Sequence, residues 1–451
     1  MTHSSPVSVP LPSDLTADAL ARLSQSVDVS VREAVARHPN APGDLLNLLG
    51  EHHPHAVLAN PALTLLRLAQ PGLLGGWSGE TVARLAGLPD APAWVQDAAL
   101  RHESLLPRLA VADRADLTEQ RMRNLACNAQ WQLREAMAKR RDLLPELVEM
   151  LAADDDYDVR KAVAAREDLP GAAVERLAAD AHAFVRAVVA RRLDLPLAQM
   201  LALATDDDYD VQASVARRHD LPRALRESLA ASDHPAVRAA AMQAWQVPDA
   251  WLERAEQDAD PEVRAALARR PALPVPVMER LARDPADTVR RALLDRDDLT
   301  VDALLALLAS PEQDVRLHVA SAADLPGAVL DALLLDPDAT VRTVLCVRPD
   351  LSAEQLGRLS LDASAEVRRG AALAEHPGET VLKRLSVDAH SGVRRAAATH
   401  PDLPAGAARA LARDPDAGVR LALATRGDLQ PDVLDVLRRD PDGHVRAEVG
   451  A

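Results

Sequence analysis

The feature that most constrains this chain is a dipeptide that returns at a fixed interval. Its second residue falls at Arg134, Arg160, Arg186, Gln212, Arg238, Arg264, Arg290, Arg316, Arg342, Arg368, Arg394, Arg420 and Arg446, always 26 residues apart. The residue before it is Val throughout, except Leu133. Upstream, Arg32 and Leu58 are also 26 apart, whereas Leu58 to Gln96 and Gln96 to Arg134 each span 38. This reads as about 16 repeats, two of them lengthened by 12 residues through insertions near 64–78 and 104–116. A repeat this short cannot bury its own apolar face, so each copy has to lean on the next.

Within a repeat, two short amphipathic helices are legible. In residues 258–284 of the sequence, Asp258 is of the helix N-cap type, and Val263, Leu267 and Ala268 share one apolar face. Arg269 and Arg270 suit the negative end of that helix, and Pro271 ends it. Pro274 opens a second helix in its first turn, with Met278, Leu281 and Ala282 as its stripe. Other repeats place Thr300 or Ser352 where Pro274 stands, replacing a proline with a capping hydroxyl. Helices of this length do not persist alone in water. The predicted fold is therefore an all-α solenoid: a disordered lead-in over 1–13, then one continuous array over 14–451.

Composition agrees with thin stacked layers. The 451 residues are 48% hydrophobic but only 2% aromatic, so Ala, Leu and Val do the packing. A net charge of −16 opposes nucleic acid and anionic membranes at long range. No apolar run is long enough to span a bilayer, and the N-terminus lacks the pattern of a signal peptide. Cys127 and Cys346 belong to repeats whose marker arginines, Arg134 and Arg342, lie eight periods apart, beyond disulfide reach. The chain reads as cytoplasmic, without membrane contact.

The phrases DPDATVRTVLCVRPDLS (336–352) and DPDAGVRLALATRGDLQ (414–430) resemble the leucine-rich repeat variant family. The resemblance implies a right-handed superhelix of short paired helices. The chain is also similar to HEAT repeats, and that likeness implies a ladder of side-chain hydrogen bonds built by an Asp six residues before each Arg. Its members here are Asp154 and Arg160, Asp180 and Arg186, Asp258 and Arg264, Asp284 and Arg290, Asp336 and Arg342, Asp414 and Arg420. Ser232 and Ser310 stand in for Asp in two repeats. The founding type of the variant family carries a cysteine-rich iron–sulfur segment that this chain lacks, so no cofactor is expected.

Motifs that suggest chemistry dissolve under the period. DDDYD, at 154–158 and 206–210, begins like a calcium loop, but the sixth position is Val159 and the twelfth Ala165, where Gly and Glu are required. His52, His53 and His55 are interrupted by Pro54, and GGWSGE (75–80) has Glu80 where a nucleophile elbow has Gly. Carboxylates that recur once per repeat do not make a singular active site, and the expectation is a protein without enzymatic activity.

Two features are not explained by the period. Five of the eight aromatic residues, Trp94, Trp131, Tyr157, Phe184 and Tyr209, stand two or three positions before the marker in consecutive repeats. They are either a recognition strip or fillers where the lengthened repeats alter the curvature. Five or six positions after the marker come Lys139, Arg140, Arg166, Arg191, Arg192, Arg217 and Arg218, with Arg141 beside them. The row thins at Gln243-Ala244, Ser321-Ala322 and Leu373-Ala374. These cations are either solvated helix ends or half of a binding site.

The reading favoured by the sequence is a scaffold that binds a protein or acidic peptide in its groove, best at repeats 96–212. One alternative is single-stranded nucleic acid on the basic and aromatic ridge, which the net charge and the Asp triplets disfavour. A second alternative is an enzyme, since HEAT-like repeats occur in bilin lyases and alkylpurine DNA glycosylases. No acid in an aromatic cleft aligns with that role.

Overall fold

The structure, a computed structural model, describes residues 10–243 and 248–450. Residues 1–9 of the expected lead-in and Ala244 of the basic row lie outside the described residues. Among the described residues there are 34 α-helices, one 3-10 turn at Leu73–Gly76 and no strand. The chain is an α-solenoid. Its helices fall into two compact blocks, Met1–Asp220 and Leu221–Ala451.

Each repeat holds a marker helix, which carries the Val-Arg dipeptide, and a companion helix that follows it. In the N-terminal block the marker helices are Val29–Arg37, Pro54–Leu58, Gly79–Gly87, Leu105–Ala112, Trp131–Ala138, Tyr157–Ala164, Ala183–Ala190 and Tyr209–Ala216, each packed on the next. In the C-terminal block the same stacking joins Pro235–Met242, Pro261–Ala268 and Asp287–Leu293, and again joins Gln313–Ser321 through Ala339–Leu345, Ala365–Ala372, Ser391–Thr399 and Ala417–Ala424 to Gly443–Gly450.

The marker valine is what each repeat contributes to the centre of the stack. Val159, Val185 and Val211 are wholly buried, as are Val315, Val341, Val367, Val393 and Val419. Burial of such a side chain contributes roughly 1.5–3 kcal/mol. Helices of seven to nine residues gain that only from a neighbour, because one turn earlier or later they run out of chain.

Their ends are cut by local chemistry. Asp156, Asp208, Asp260, Asp338 and Asp416 cap the marker helices by accepting the N–H two residues on, at 2.7–2.9 Å. Asp258, the residue of N-cap type, is therefore not the cap; it lies two residues earlier and serves the ladder. Pro274 likewise sits at the N-cap in extended backbone, one residue before the helix Val275–Leu281. Thr300 caps its companion helix through its hydroxyl, and Ser352 forms a full capping box with Gln355.

The register upstream of Arg134 differs from the sequence reading. The two 38-residue intervals are not lengthened repeats. They contain two additional marker helices, Gly79–Gly87 and Leu105–Ala112, whose marker positions are Val82 and Arg108. The steps from Leu58 through Val82 and Arg108 to Arg134 are thus 24, 26 and 26. Hydrogen bonds fix the assignment. Arg108 reaches the carbonyl five residues before it at 2.9 Å, as Arg134 does at 3.1 Å. Arg114 donates to the carbonyls of Ala86 and Leu88, and Arg140 donates to those of Ala112 and Arg114, at identical offsets. The expected insertions near 64–78 and 104–116 are pieces of ordinary helix pairs. The period was hidden because Pro107-Arg108 lacks the valine and Thr81-Val82 lacks the arginine.

Candidate functional site

Two sets of arginines bind the repeats together, and both bear on what remains free at the surface. The marker arginine makes the first. Arg160 donates through Nε and Nη2 to both carboxylate oxygens of Asp180 in the next repeat, at 2.6 and 2.9 Å, and through Nη1 to the Asp154 carbonyl of its own repeat at 2.7 Å. Arg134 with Asp154, Arg186 with Asp206, Arg238 with Asp258, Arg264 with Asp284 and Arg316 with Asp336 repeat the arrangement. Arg342 with Asp362, Arg368 with Asp388, Arg394 with Asp414 and Arg420 with Asp440 continue it. Where Ser310 replaces Asp, Arg290 donates to its hydroxyl at 2.9 Å and takes its negative charge from Glu312, 2.5 Å away.

Electrostatics follow from this fork geometry. Burial pushes the carboxyls of Asp154, Asp180 and Asp206 upward. The guanidinium of the preceding repeat and a backbone N–H outweigh it, and all three sit below the usual carboxylate range. The marker arginines Arg134, Arg160 and Arg186 are raised, chiefly by the same hydrogen bonds.

The second set is the arginine six residues after the marker. Arg166 donates to the carbonyls of Ala138, at 2.9 Å, and Arg140. Arg192 reaches Ala164, at 3.2 Å, and Arg166; Arg218 reaches Ala190, at 3.0 Å, and Arg192. Ala138, Ala164 and Ala190 are the last residues of their marker helices. Their carbonyls have no partner inside the helix, and the cation meets the negative end of the macrodipole. Each such arginine also grips the Asp two residues on: Asp142, Asp168, Asp194 and Asp220, at 2.6–2.8 Å. Arg296, Arg348 and Arg426 do the same in the C-terminal block, and His400 places a ring nitrogen 3.0 Å from the Ala374 carbonyl.

This divides the basic row. The side chains of Arg140, Arg166, Arg192 and Arg218 are only 9, 5, 7 and 3% exposed, so they are staples between repeats and not a surface offered to a ligand. Lys139, Arg141, Arg191 and Arg217 are exposed. Lys139 pairs with Glu135 at 2.6 Å, whereas Arg141, Arg191 and Arg217 form no ion pair with any described residue. Open depressions of about 400 and about 370 Å³ flank Lys139 and Arg141, with Glu167, Asp168, Asp113 and Asp142 on their walls.

The aromatic row is divided as well. Trp131, Tyr157, Phe184 and Tyr209 stand at or next to the first residue of consecutive marker helices. Trp131, Phe184 and Tyr209 are 36, 56 and 46% exposed. Tyr157 stacks on His182 of the next repeat, with centroids 4.0 Å apart and planes 6° from parallel; His182 in turn meets Phe184 at 5.3 Å. Trp94 does not belong to the row. It lies on the companion helix Ala93–Arg101, under the guanidinium of Arg67 at 4.8 Å. Arg121 of the next companion helix donates to Asp97 at 2.7 Å, which ties Ala93–Arg101 into the companion stack.

Sequence reasoning missed the staples, yet a signal for them exists. An Asp follows two residues after the second arginine at Arg114, Arg140, Arg166, Arg192, Arg218, Arg296, Arg348 and Arg426. Arg114 and Arg140, 26 apart, also carry the correct upstream register.

The DDDYD segments do rung and cap work: Asp154 and Asp206 accept from marker arginines, and Asp156 and Asp208 cap helices. Among the described residues no group of three or more His, Cys, Asp or Glu is placed to hold a metal ion, and no helix is long and apolar enough to cross a membrane.

The sequence profile described as leucine rich repeat variant matches residues 157–182 and 392–416. Over these stretches the chain is similar to leucine rich repeat variant repeats. The first runs from Tyr157 to His182 and contains rung Arg160 and staple Arg166; the second contains rung Arg394, staple His400 and Asp414. The chain is similar to a solved structure described as a leucine-rich repeat variant with a novel repetitive protein structural motif. Identity is 27% over 51% of this chain and 94% of that one, with a TM-score of 0.36. No curated protein matches the chain.

Proposed function

We propose that this repeat protein is a non-enzymatic scaffold whose marker-helix surface between Trp131 and Arg217 binds a segment of a partner protein. The observation that supports it is a row of rings on four consecutive repeats beside a row of arginines on three of them, the repeat of Tyr157 having Ala165 at that place. Rings stand at the N-terminal ends of the marker helices, and Arg141, Arg191 and Arg217 stand, without a carboxylate partner among the described residues, at or just beyond the C-terminal ends. An eight-residue helix separates such rows by about 12 Å, so one partner segment can touch both. Exposed rings offer anchoring area at low entropic cost, and the free guanidinium groups suit acidic residues. Trp94, Arg140, Arg166, Arg192 and Arg218 are outside the proposed surface, because their side chains are already committed within the stack.

The test is capture with purified wild type beside a variant carrying Trp131→Ala, Phe184→Ala, Arg191→Ala and Arg217→Ala. The reading holds if a protein binds wild type saturably and is lost from a variant with unchanged helical content. It fails if every captured partner survives. Single-stranded DNA or RNA binding that collapses steeply with salt would replace it with the nucleic-acid reading.

A further inference from the structure

A second surface lies in the C-terminal block, on the edge where companion helices turn into marker helices. Leu335, Leu361 and Val387 each stand just before a rung aspartate, Asp336, Asp362 and Asp388, in three consecutive repeats. They are 75, 67 and 72% exposed. A lone exposed leucine needs no explanation, but three in one register make an apolar row. In the same register the row is preceded by Arg283 and Ala309 and followed by Arg413 and Arg439. Arg413 and Arg439 are exposed, and neither forms an ion pair with a described carboxylate. On the companion helices that lead into this edge Arg358 and Lys383 are paired with Asp331 and Glu379, whereas Arg384 donates to the Ser360 hydroxyl at 2.6 Å.

The spacing constrains what can cover the row. Stacked helices stand about 8–10 Å apart. A polyproline II segment repeats every three residues, about 9 Å, so a side chain at every third position meets every repeat. An extended β segment presents one face every two residues, about 7 Å, and falls out of step. We propose that this edge docks an extended polyproline II segment of a partner protein, with an aliphatic residue at three successive third positions and acidic residues at the next two, facing Arg413 and Arg439. The surface is separate from the one between Trp131 and Arg217, and neither proposal depends on the other.

Fluorescence anisotropy with labelled synthetic peptides tests it. The probes are proline-rich, carry leucine at three successive third positions and glutamate at the next two, and are made in both chain directions. One probe is expected to bind the full-length protein saturably. The variant Leu335→Ser/Leu361→Ser/Val387→Ser should bind about tenfold or more weakly, with helical content unchanged because all three side chains are exposed. A control peptide with leucine at every second position should lose as much. Arg413→Ala/Arg439→Ala should remove most of the salt dependence. The proposal is overturned if neither probe binds saturably, if the triple variant binds equally, or if the spacing of leucines makes no difference. It is also overturned if the wild type self-associates and the triple variant does not, since a second copy would then be the occupant.

Discussion

Five residues after the marker, the N-terminal block carries Lys139, Arg191 and Arg217, while the C-terminal block carries Arg269 in one repeat but Val347 and Leu373 in two others at the same register. All are exposed, Val347 by 83%. One residue further on, both blocks carry arginines that reach back to the carbonyls of the preceding repeat, Arg192 and Arg218 in the first and Arg348 and Arg426 in the second. Adjacent positions therefore answer to different demands. The staple meets orphan carbonyls at a fixed offset, through an arginine or through His400, and two repeats of the C-terminal block carry Ala322 and Ala374 there instead. Its neighbour faces solvent, and its chemistry is free to follow whatever binds there.

The comparison can be broken from several sides. The largest effect is expected from acid, because it strikes rungs in both blocks. The folded-state pKa of Asp154, Asp180, Asp206, Asp258, Asp362, Asp388, Asp414 and Asp440 is lowered, so the unfolded chain binds more protons. Their contribution is fully present above the unfolded carboxylate value, about 4, and is lost as pH falls through the native values. The urea midpoint should be flat from about pH 7 to 5 and fall below about pH 4. A midpoint that stays flat down to about pH 2 would show that the rungs contribute nothing.

Next comes a contrast between neighbours. Arg218→Ala should destabilise the N-terminal block by about 2–3 kcal/mol, since it strands the carbonyls of Ala190 and Arg192. Arg217→Ala should stay within about 0.5 kcal/mol. Chemical denaturation of the two single variants measures both, and equal losses would erase the distinction between staple and edge.

The corrected register is sharpened by Gly50. Its missing Cβ is where the methyl of Thr81, on the marker helix Gly79–Gly87, comes closest. Gly50→Ala should cost about 1–3 kcal/mol, and Thr81→Ser in the same chain should recover most of it. Absence of recovery would argue against the helix Gly79–Gly87 packing there. The smallest effect on stability, under about 0.5 kcal/mol, is expected from Arg191→Ala/Arg217→Ala. In the same pair, a loss of salt-dependent binding is the outcome to look for, and binding equal to wild type would remove these arginines from the proposed surface.

How far the sequence led can be traced through particular residues. The period, the paired helices and the Asp–Arg rungs were legible because each recurs in one register, and repetition averages away local exceptions. Thr300 and Ser352 announced their caps. The upstream register was not legible from Val-Arg, since Pro107-Arg108 keeps only the arginine and Val95-Gln96 offers a false marker on a companion helix. The basic doublets misled for a geometric reason. Arg191 and Arg192 are chemically alike and adjacent, and only the placement of the helix end sends one outward and the other into the stack. Trp94 was drawn into the aromatic row by the same false marker. The stacking of Tyr157 on His182 had no signal in the period, because His182 occupies a position that Asp156 and Asp208 use for capping.

The central claim is that a repeat carrying a rung aspartate is held by the arginine fork of the repeat before it. Hydrogen exchange on an Arg316→Ala variant tests it most directly, because Arg316 and Asp336 are 8 and 3% exposed and removal leaves a buried carboxylate uncompensated. Breaking such a pair costs about 3–5 kcal/mol. The account predicts amide exchange faster by at least about a hundredfold in Gln313–Ser321 and Ala339–Leu345, with Tyr157–Ala164 unchanged. Exchange that is unaltered in those two helices, or that accelerates equally in all three, would contradict it.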